Sequence, residues 1–233
     1  MVLLDIGNTR VKIAGWDGCR IGAVRSVPRR DFVLPEGEEI AALSAVPEWT
    51  RRLRRTDGVF LLQNIHAARC GLDLSGVDAS TLGADRLANA IELVHENRLP
   101  AISVDFGTAV NCEIVDREGF FRGGAIAPGR NMMLQALFNG TAALPELQAG
   151  KEIRERPGTN TAETLAFGVD QGIAGMVERW VRCAGEMLSG SVRLVGTGGD
   201  APLYCREIDG MENGGETFTL RGLLYAWQKN AVR

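Results

Sequence analysis

The chain has 233 residues, 45% of them apolar and 24% charged, with a formal net charge of −3. That length suits one large domain or two small ones, and the absence of a basic excess argues against nucleic acid or an acidic membrane as the main partner. The five cysteines (Cys19, Cys70, Cys112, Cys183 and Cys205) form no C-x-x-C pair, which reads as reduced thiols, and no apolar run approaches the ~20 residues a membrane span needs.

Val2-Leu3-Leu4 reads as a short strand, followed by the tight-turn composition Asp5-Ile6-Gly7-Asn8-Thr9. Residues 11–16 alternate as a second strand, Asp17-Gly18 signals a hairpin, and residues 21–27 read as a third strand before Pro28. No secretory n-region precedes the first strand, so the cytoplasm is the expected location. Residues 36–55 read as helix broken near Pro47, and the arginines of 51–55 as a solvated helix face. A buried strand is expected at 59–62 and a helix over 84–97, where Leu87, Ile91 and Val94 recur at helical spacing.

The pattern then begins again. Residues 101–104 are a strand running into Asp105, Phe106-Gly107-Thr108-Ala109 is a turn, and residues 111–115 are a second strand. LLDIGNTRVKIAGWDG at 3–18 therefore corresponds to SVDFGTAVNCEIVDREG at 103–119. One Asp-x-Gly turn is common. Two, each between a strand and a strand, point to an internal duplication into halves 1–99 and 100–233. The second half continues with helices near 131–139 and 161–188, a strand at 192–195 and a helix near 220–229.

Paired hairpins of this kind suit a nucleotide triphosphate. Glycine lets backbone amides approach phosphate oxygens, and carboxylates can hold the accompanying cation. Asp5 and Asp105 end the two strands. Asn8, Thr9 and Thr108 offer side-chain hydrogen bonds, and Lys12 a positive charge. The third glycine cluster, Gly196-Thr197-Gly198-Gly199, fits G-x-G-x-x-A through Ala201 and so admits a dinucleotide reading. Residue 220, where the acidic partner of such a site would stand, is Leu. A glycine-lined floor for adenosine agrees better with the hairpins. There is no G-x-x-x-x-G-K-[ST] phosphate loop. His66 and His95 have no catalytic partner in sequence.

Gly83-Ala84-Asp85-Arg86 opens the helix over 84–97. Asp85 there is either a cap or a base that takes the proton of an attacking hydroxyl. Arg86 suits an anionic carboxylate. Thr159-Asn160-Thr161 opens a later helix, as cap or as substrate contact.

These segments together resemble the type III pantothenate kinases, a family that includes proteins called Bvg accessory factors. The matching stretches are DIGNTRVK at 5–12, GADR at 83–86, VDFGTA at 104–109, GGAIAPG at 123–129, TAALPEL at 141–147, TNTAET at 159–164 and TGG at 197–199. The resemblance implies an α/β fold of duplicated RNase H-like (actin-like ATPase) domains, mixed sheets flanked by helices, with a cleft between the halves. It implies ATP as donor and pantothenate as acceptor, giving 4′-phosphopantothenate, the first step of coenzyme A biosynthesis. By the same resemblance Asp5, Ile6, Gly7, Asn8, Thr9, Arg10, Val11, Lys12 and Thr108 bind ATP. Asp85 is the proton acceptor, and Gly83, Ala84, Asp85, Arg86 and Thr161 line the pantothenate pocket. Asp105 holds a monovalent cation (K⁺ or NH₄⁺), Mg²⁺ accompanies ATP, and the protein is a homodimer. Family members usually carry a tyrosine shortly before GADR; residues 74–82 contain none. The alternatives are a nucleotide-binding regulatory homologue without kinase activity, or a kinase of another small hydroxy acid.

Overall fold

The computed structural model describes residues 1–188 and 190–231. The chain divides into two compact units. One comprises Met1–Ala101, Glu113–Gly123 and the chain from Glu216 onward; the other comprises Ile102–Cys112 and Gly124–Gly215.

The first unit is built on a sheet of β1 (Val2–Ile6), β2 (Arg10–Gly15), β3 (Arg25–Pro28), β4 (Ile40–Ser44) and β5 (Val59–Leu61), in the order β3-β2-β1-β4-β5. β1 pairs antiparallel with β2 and parallel with β4. Lying at the centre, it buries Val2, Leu3, Leu4 and Ile6, so successive side chains on both faces are apolar and no alternation is visible. The third strand expected over 21–27 forms a ladder only at Arg25–Pro28, while Ile21 makes a single bridge to Trp16. The Asp17 carboxylate accepts the N–H groups of Cys19 and Arg20, folding that stretch into a tight turn.

The helix expected over 36–55 is instead the strand β4 followed by the helix α1 (Pro47–Leu53). Ile40, Ala41, Ala42 and Leu43 are all buried. A four-residue apolar run of this kind does not distinguish a core strand from a buried helical turn. Pro47 then starts α1 at the position where its missing N–H and fixed φ are best tolerated. Helix α2 (Ala84–His95) buries Leu87, Ala88, Ile91 and Leu93. The last helix of the chain, α6 (Phe218–Asn230), packs on α2, β1 and β4.

The second sheet contains β6 (Ala101–Phe106), β7 (Ala109–Val115), β8 (Phe121–Pro128), β9 (Arg193–Thr197) and β10 (Met211–Asn213), in the order β10-β9-β6-β7-β8. Read from the other edge this is β8-β7-β6-β9-β10, the order of the first sheet with every strand number raised by five. Helices α3 (Arg130–Gly140), α4 (Thr161–Met187) and α5 (Ala201–Glu207) accompany it, and α3 packs on α4. Two mixed sheets of one strand order, flanked by helices, form the duplicated α/β architecture that the repeat led one to expect.

Candidate functional site

In the first unit, the Asp5–Lys12 stretch forms the β1–β2 hairpin. The Gly7 N–H donates to the Arg10 carbonyl at 3.0 Å and closes the turn, leaving Asn8 and Thr9 exposed. Asp5 and Lys12 are direct cross-strand partners, so their side chains share one face of the sheet. Ile6 and Val11 are buried in the core and can serve a ligand only through their backbone. Arg10 turns sideways: its guanidinium donates to Ser26 Oγ at 2.7 Å and to the Ser26 carbonyl at 2.8 Å.

The GADR stretch forms the start of α2 in the same unit, with Gly83 as N-cap. The half-buried Asp85 carboxylate accepts the Arg86 N–H at 2.9 Å. Arg86 Nε lies 3.1 Å from Glu113 Oε1, in a pair whose side chains are 16% and 0% exposed. A cation in the first turn of a helix faces the positive end of its dipole, and Glu113 supplies the counter-charge.

In the second unit, Asp105 lies near the end of β6 and Thr108 in the β6–β7 turn, where the Gly107 N–H donates to the Ala109 carbonyl at 3.0 Å. The expected glycine floor adjoins it. Gly198 has a φ of +95°, and a Cβ there would stand 2.3 Å from Asp105 Oδ1 and 2.7 Å from the Phe106 carbonyl oxygen. Only glycine permits this approach. The Asp200 N–H fastens the turn by donating to the Phe106 carbonyl at 3.1 Å, and burial pushes the Asp200 carboxyl above the usual carboxylate range. Among the described residues no group of three or more His, Cys, Asp or Glu could hold a metal ion.

Thr161 stands on a different element, the start of α4, where Asn160 caps the helix by accepting the Glu163 N–H at 3.1 Å. It borders a hollow of about 410 Å³ lined also by Leu144, Gly158, Thr159 and Leu165. The Glu163 carboxyl is held below its usual range, first by the Thr159 N–H, then by the Thr159 hydroxyl and Arg154.

Two polar clusters had no place in the sequence reading. Glu113 and Asn89 are fully buried beside Arg86, and Thr219 of α6 joins them. The one signal was a Glu inside the otherwise apolar stretch Cys112–Val115. In the second unit, Arg130 and Asp170 are 3% and 2% exposed and pair at 2.8 Å. Arg130 also donates to the carbonyls of Gly150 (2.8 Å) and Glu152 (3.1 Å), and Asp170 accepts the Arg154 N–H at 2.8 Å. The irregular segment between α3 and α4 is thereby clamped. Forty residues separate the pair, and nothing local announces it.

A family model described as type III pantothenate kinase matches residues 1–183. A type III pantothenate kinase of Cereibacter sphaeroides is 37% identical over 254 residues, covering 99% of this chain and 98% of that protein. One from Rhodospirillum rubrum is 39% identical over 149 residues, covering 64% of this chain and 58% of that protein. A crystal structure described as a Baf family transcriptional activator from Campylobacter jejuni superimposes with a TM-score of 0.70 over 99% of both chains. At 17% identity that likeness concerns the fold alone.

Proposed function

The chain belongs to the type III pantothenate kinase family, and from that premise we infer that it transfers the γ-phosphoryl group of ATP to the hydroxyl of pantothenate. The products are 4′-phosphopantothenate and ADP, at the first step of coenzyme A biosynthesis. The observation that carries the reading is that the family match spans residues 1–183 and so includes the β1–β2 hairpin, GADR, the β6–β7 turn and Thr161.

In this reading Asp85 takes the proton as the substrate oxygen attacks the γ-phosphorus. Its carboxylate is oriented by the Arg86 N–H. Gly83, Ala84, Arg86 and Thr161 receive the acceptor, and Asp5 through Lys12 together with Thr108 receive the phosphates. The turn Gly7-Asn8-Thr9 offers exposed polar side chains for that purpose. Asp105 would hold a monovalent cation and Mg²⁺ would enter with ATP; these ions would neutralise phosphate charge. The two repeats correspond to halves 1–99 and 100–233.

A homodimer is part of the same reading. Ile126 of β8 and Met132, Leu137 and Phe138 of α3 are 62%, 44%, 37% and 37% exposed. Among the described residues no helix is long and apolar enough to cross a membrane. We place the enzyme in the cytoplasm, with small-molecule partners and no nucleic acid.

The test is ATP turnover with and without pantothenate, for the parent and Asp85→Asn. A lost general base lowers turnover by roughly 10²–10⁴-fold. Near-normal turnover in Asp85→Asn would refute the role of Asp85, and pantothenate-independent turnover in the parent would refute the acceptor.

A further inference from the structure

We propose that Glu113 is a positioning residue for the acceptor site: it fixes the orientation of the Arg86 guanidinium, and through it the affinity for the acceptor carboxylate. The proposal rests on the reading of Arg86 as the group that receives that carboxylate.

Glu113 lies on β7 and is 0% exposed. Burying a carboxylate costs several kcal/mol unless it is paired and hydrogen-bonded. Its Oε1 accepts from Arg86 Nε at 3.1 Å, and its Oε2 lies 3.5 Å from Asn89 Nδ2. Asn89 sits on the same helix as Arg86 and is itself fully buried. Its own carbonyl oxygen accepts the Thr219 hydroxyl at 2.8 Å. A chain of buried polar side chains thus runs from α6 through α2 and β7 to the guanidinium. The Phe121 ring, 5.9 Å from Arg86 Cζ, bounds it on another side.

Neither charge is where helix stability alone would place it. Arg86 is a cation in the first turn of α2, where the dipole disfavours positive charge. Glu113 is an anion in a strand core. Apolar pairs of similar volume are often as stable as a buried ion pair or more so. What the ion pair adds is direction, because the Nε edge of a planar guanidinium is held at a fixed angle. Glu113 also offsets the Arg86 charge, so orientation and net charge pull in opposite directions when Glu113 is changed. That opposition makes the proposal testable by sign.

The test compares the parent, Glu113→Gln, Glu113→Asp and Arg86→Lys in steady-state kinetics. The acceptors are pantothenate and its neutral alcohol analogue, in which the carboxylate is reduced. Glu113→Gln is expected to raise the KM for pantothenate roughly tenfold, equivalent to about 1.4 kcal/mol, with kcat changed by less than about twofold. The KM for the alcohol and for ATP should stay within about twofold. Glu113→Asp should recover part of the loss. A fall in the pantothenate KM would mean that Arg86 acts as a point charge, and an unchanged KM that Glu113 orients nothing; either overturns the proposal. An equal rise for both acceptors would mark a merely structural role and overturn it too. Should Glu113→Gln fail to fold, Glu113→Asp carries the same comparison. If Arg86→Lys leaves the pantothenate KM unchanged, the reading of Arg86 itself fails. If it raises that KM while Glu113→Gln does not, only the present proposal falls.

Discussion

Gly222 of α6 stands where α6 crosses α2. A Cβ on it would lie 2.0 Å from the Ala88 carbonyl oxygen, 2.8 Å from the Ala88 carbonyl carbon and 3.2 Å from the Glu92 nitrogen. The nearest of these falls about 1.5 Å inside the ~3.5 Å optimum of non-bonded contact. All three atoms are backbone of a neighbouring helix, so no side chain can swing aside and the helices must part. Overpacking of this kind costs about 1–3 kcal/mol, occasionally more, and the rigid neighbour places Gly222→Ala at the upper end. Alanine recovers about 1 kcal/mol of helix propensity, which leaves a net loss of about 2 kcal/mol. In a chain of this size that lowers the thermal midpoint by roughly 4–8 °C. Gly185→Ala is the control. Gly185 lies inside α4, where an added Cβ meets nothing within 4 Å, so the same chemical change should stabilise by about 0.5–1 kcal/mol. Differential scanning calorimetry of both variants reads the two signs. If Gly222→Ala melts at or above the parent temperature, the close approach of α6 to α2 is wrong.

Arg130→Met removes the cation that Asp170 is buried against, together with the bonds to the Gly150 and Glu152 carbonyls. A loss of about 3–5 kcal/mol is expected in urea denaturation, with faster tryptic cleavage at the exposed Lys151; a change below about 0.5 kcal/mol would mean that the clamp contributes nothing. Burial pushes the Cys70 thiol up to about 11, so at pH 8 only on the order of one molecule in a thousand carries the thiolate. Iodoacetamide at that pH should therefore label the exposed Cys19 well before Cys70, and mass spectrometry of peptides finding Cys70 modified first would contradict the burial.

The parts of the fold legible in the sequence were those with local signatures. The paired Asp-x-Gly turns announced the duplication because each lies between two strands. The structure extends that likeness to the order of all five strands in each sheet. β4 was misread because Ile40–Leu43 is apolar at every position and lacks either period. The packing of α6 on β1 and β4 could not be read at all, since its partners lie at the other end of the described chain, before the whole second unit. The candidate site divides in the same way. Asp85 and Asp105 stand out through the motifs around them. Glu113, Asn89 and Thr219 do not, because each is a single polar residue whose meaning comes from neighbours 24 and 130 positions distant.

The packing of α6 also bears on how the chain comes off the ribosome. The first five strands and α2 emerge early, yet the helix that packs on β1, β4 and α2 and buries Leu220, Leu223 and Ala226 is translated only after the second unit. Through most of synthesis the nascent first unit carries an uncovered apolar face. At ~5–20 residues per second that exposure lasts about as long as the second unit takes to be made. Chaperone dependence during translation, and aggregation of chains truncated before Phe218, follow from the same arrangement that lets α6 reach the buried Asn89.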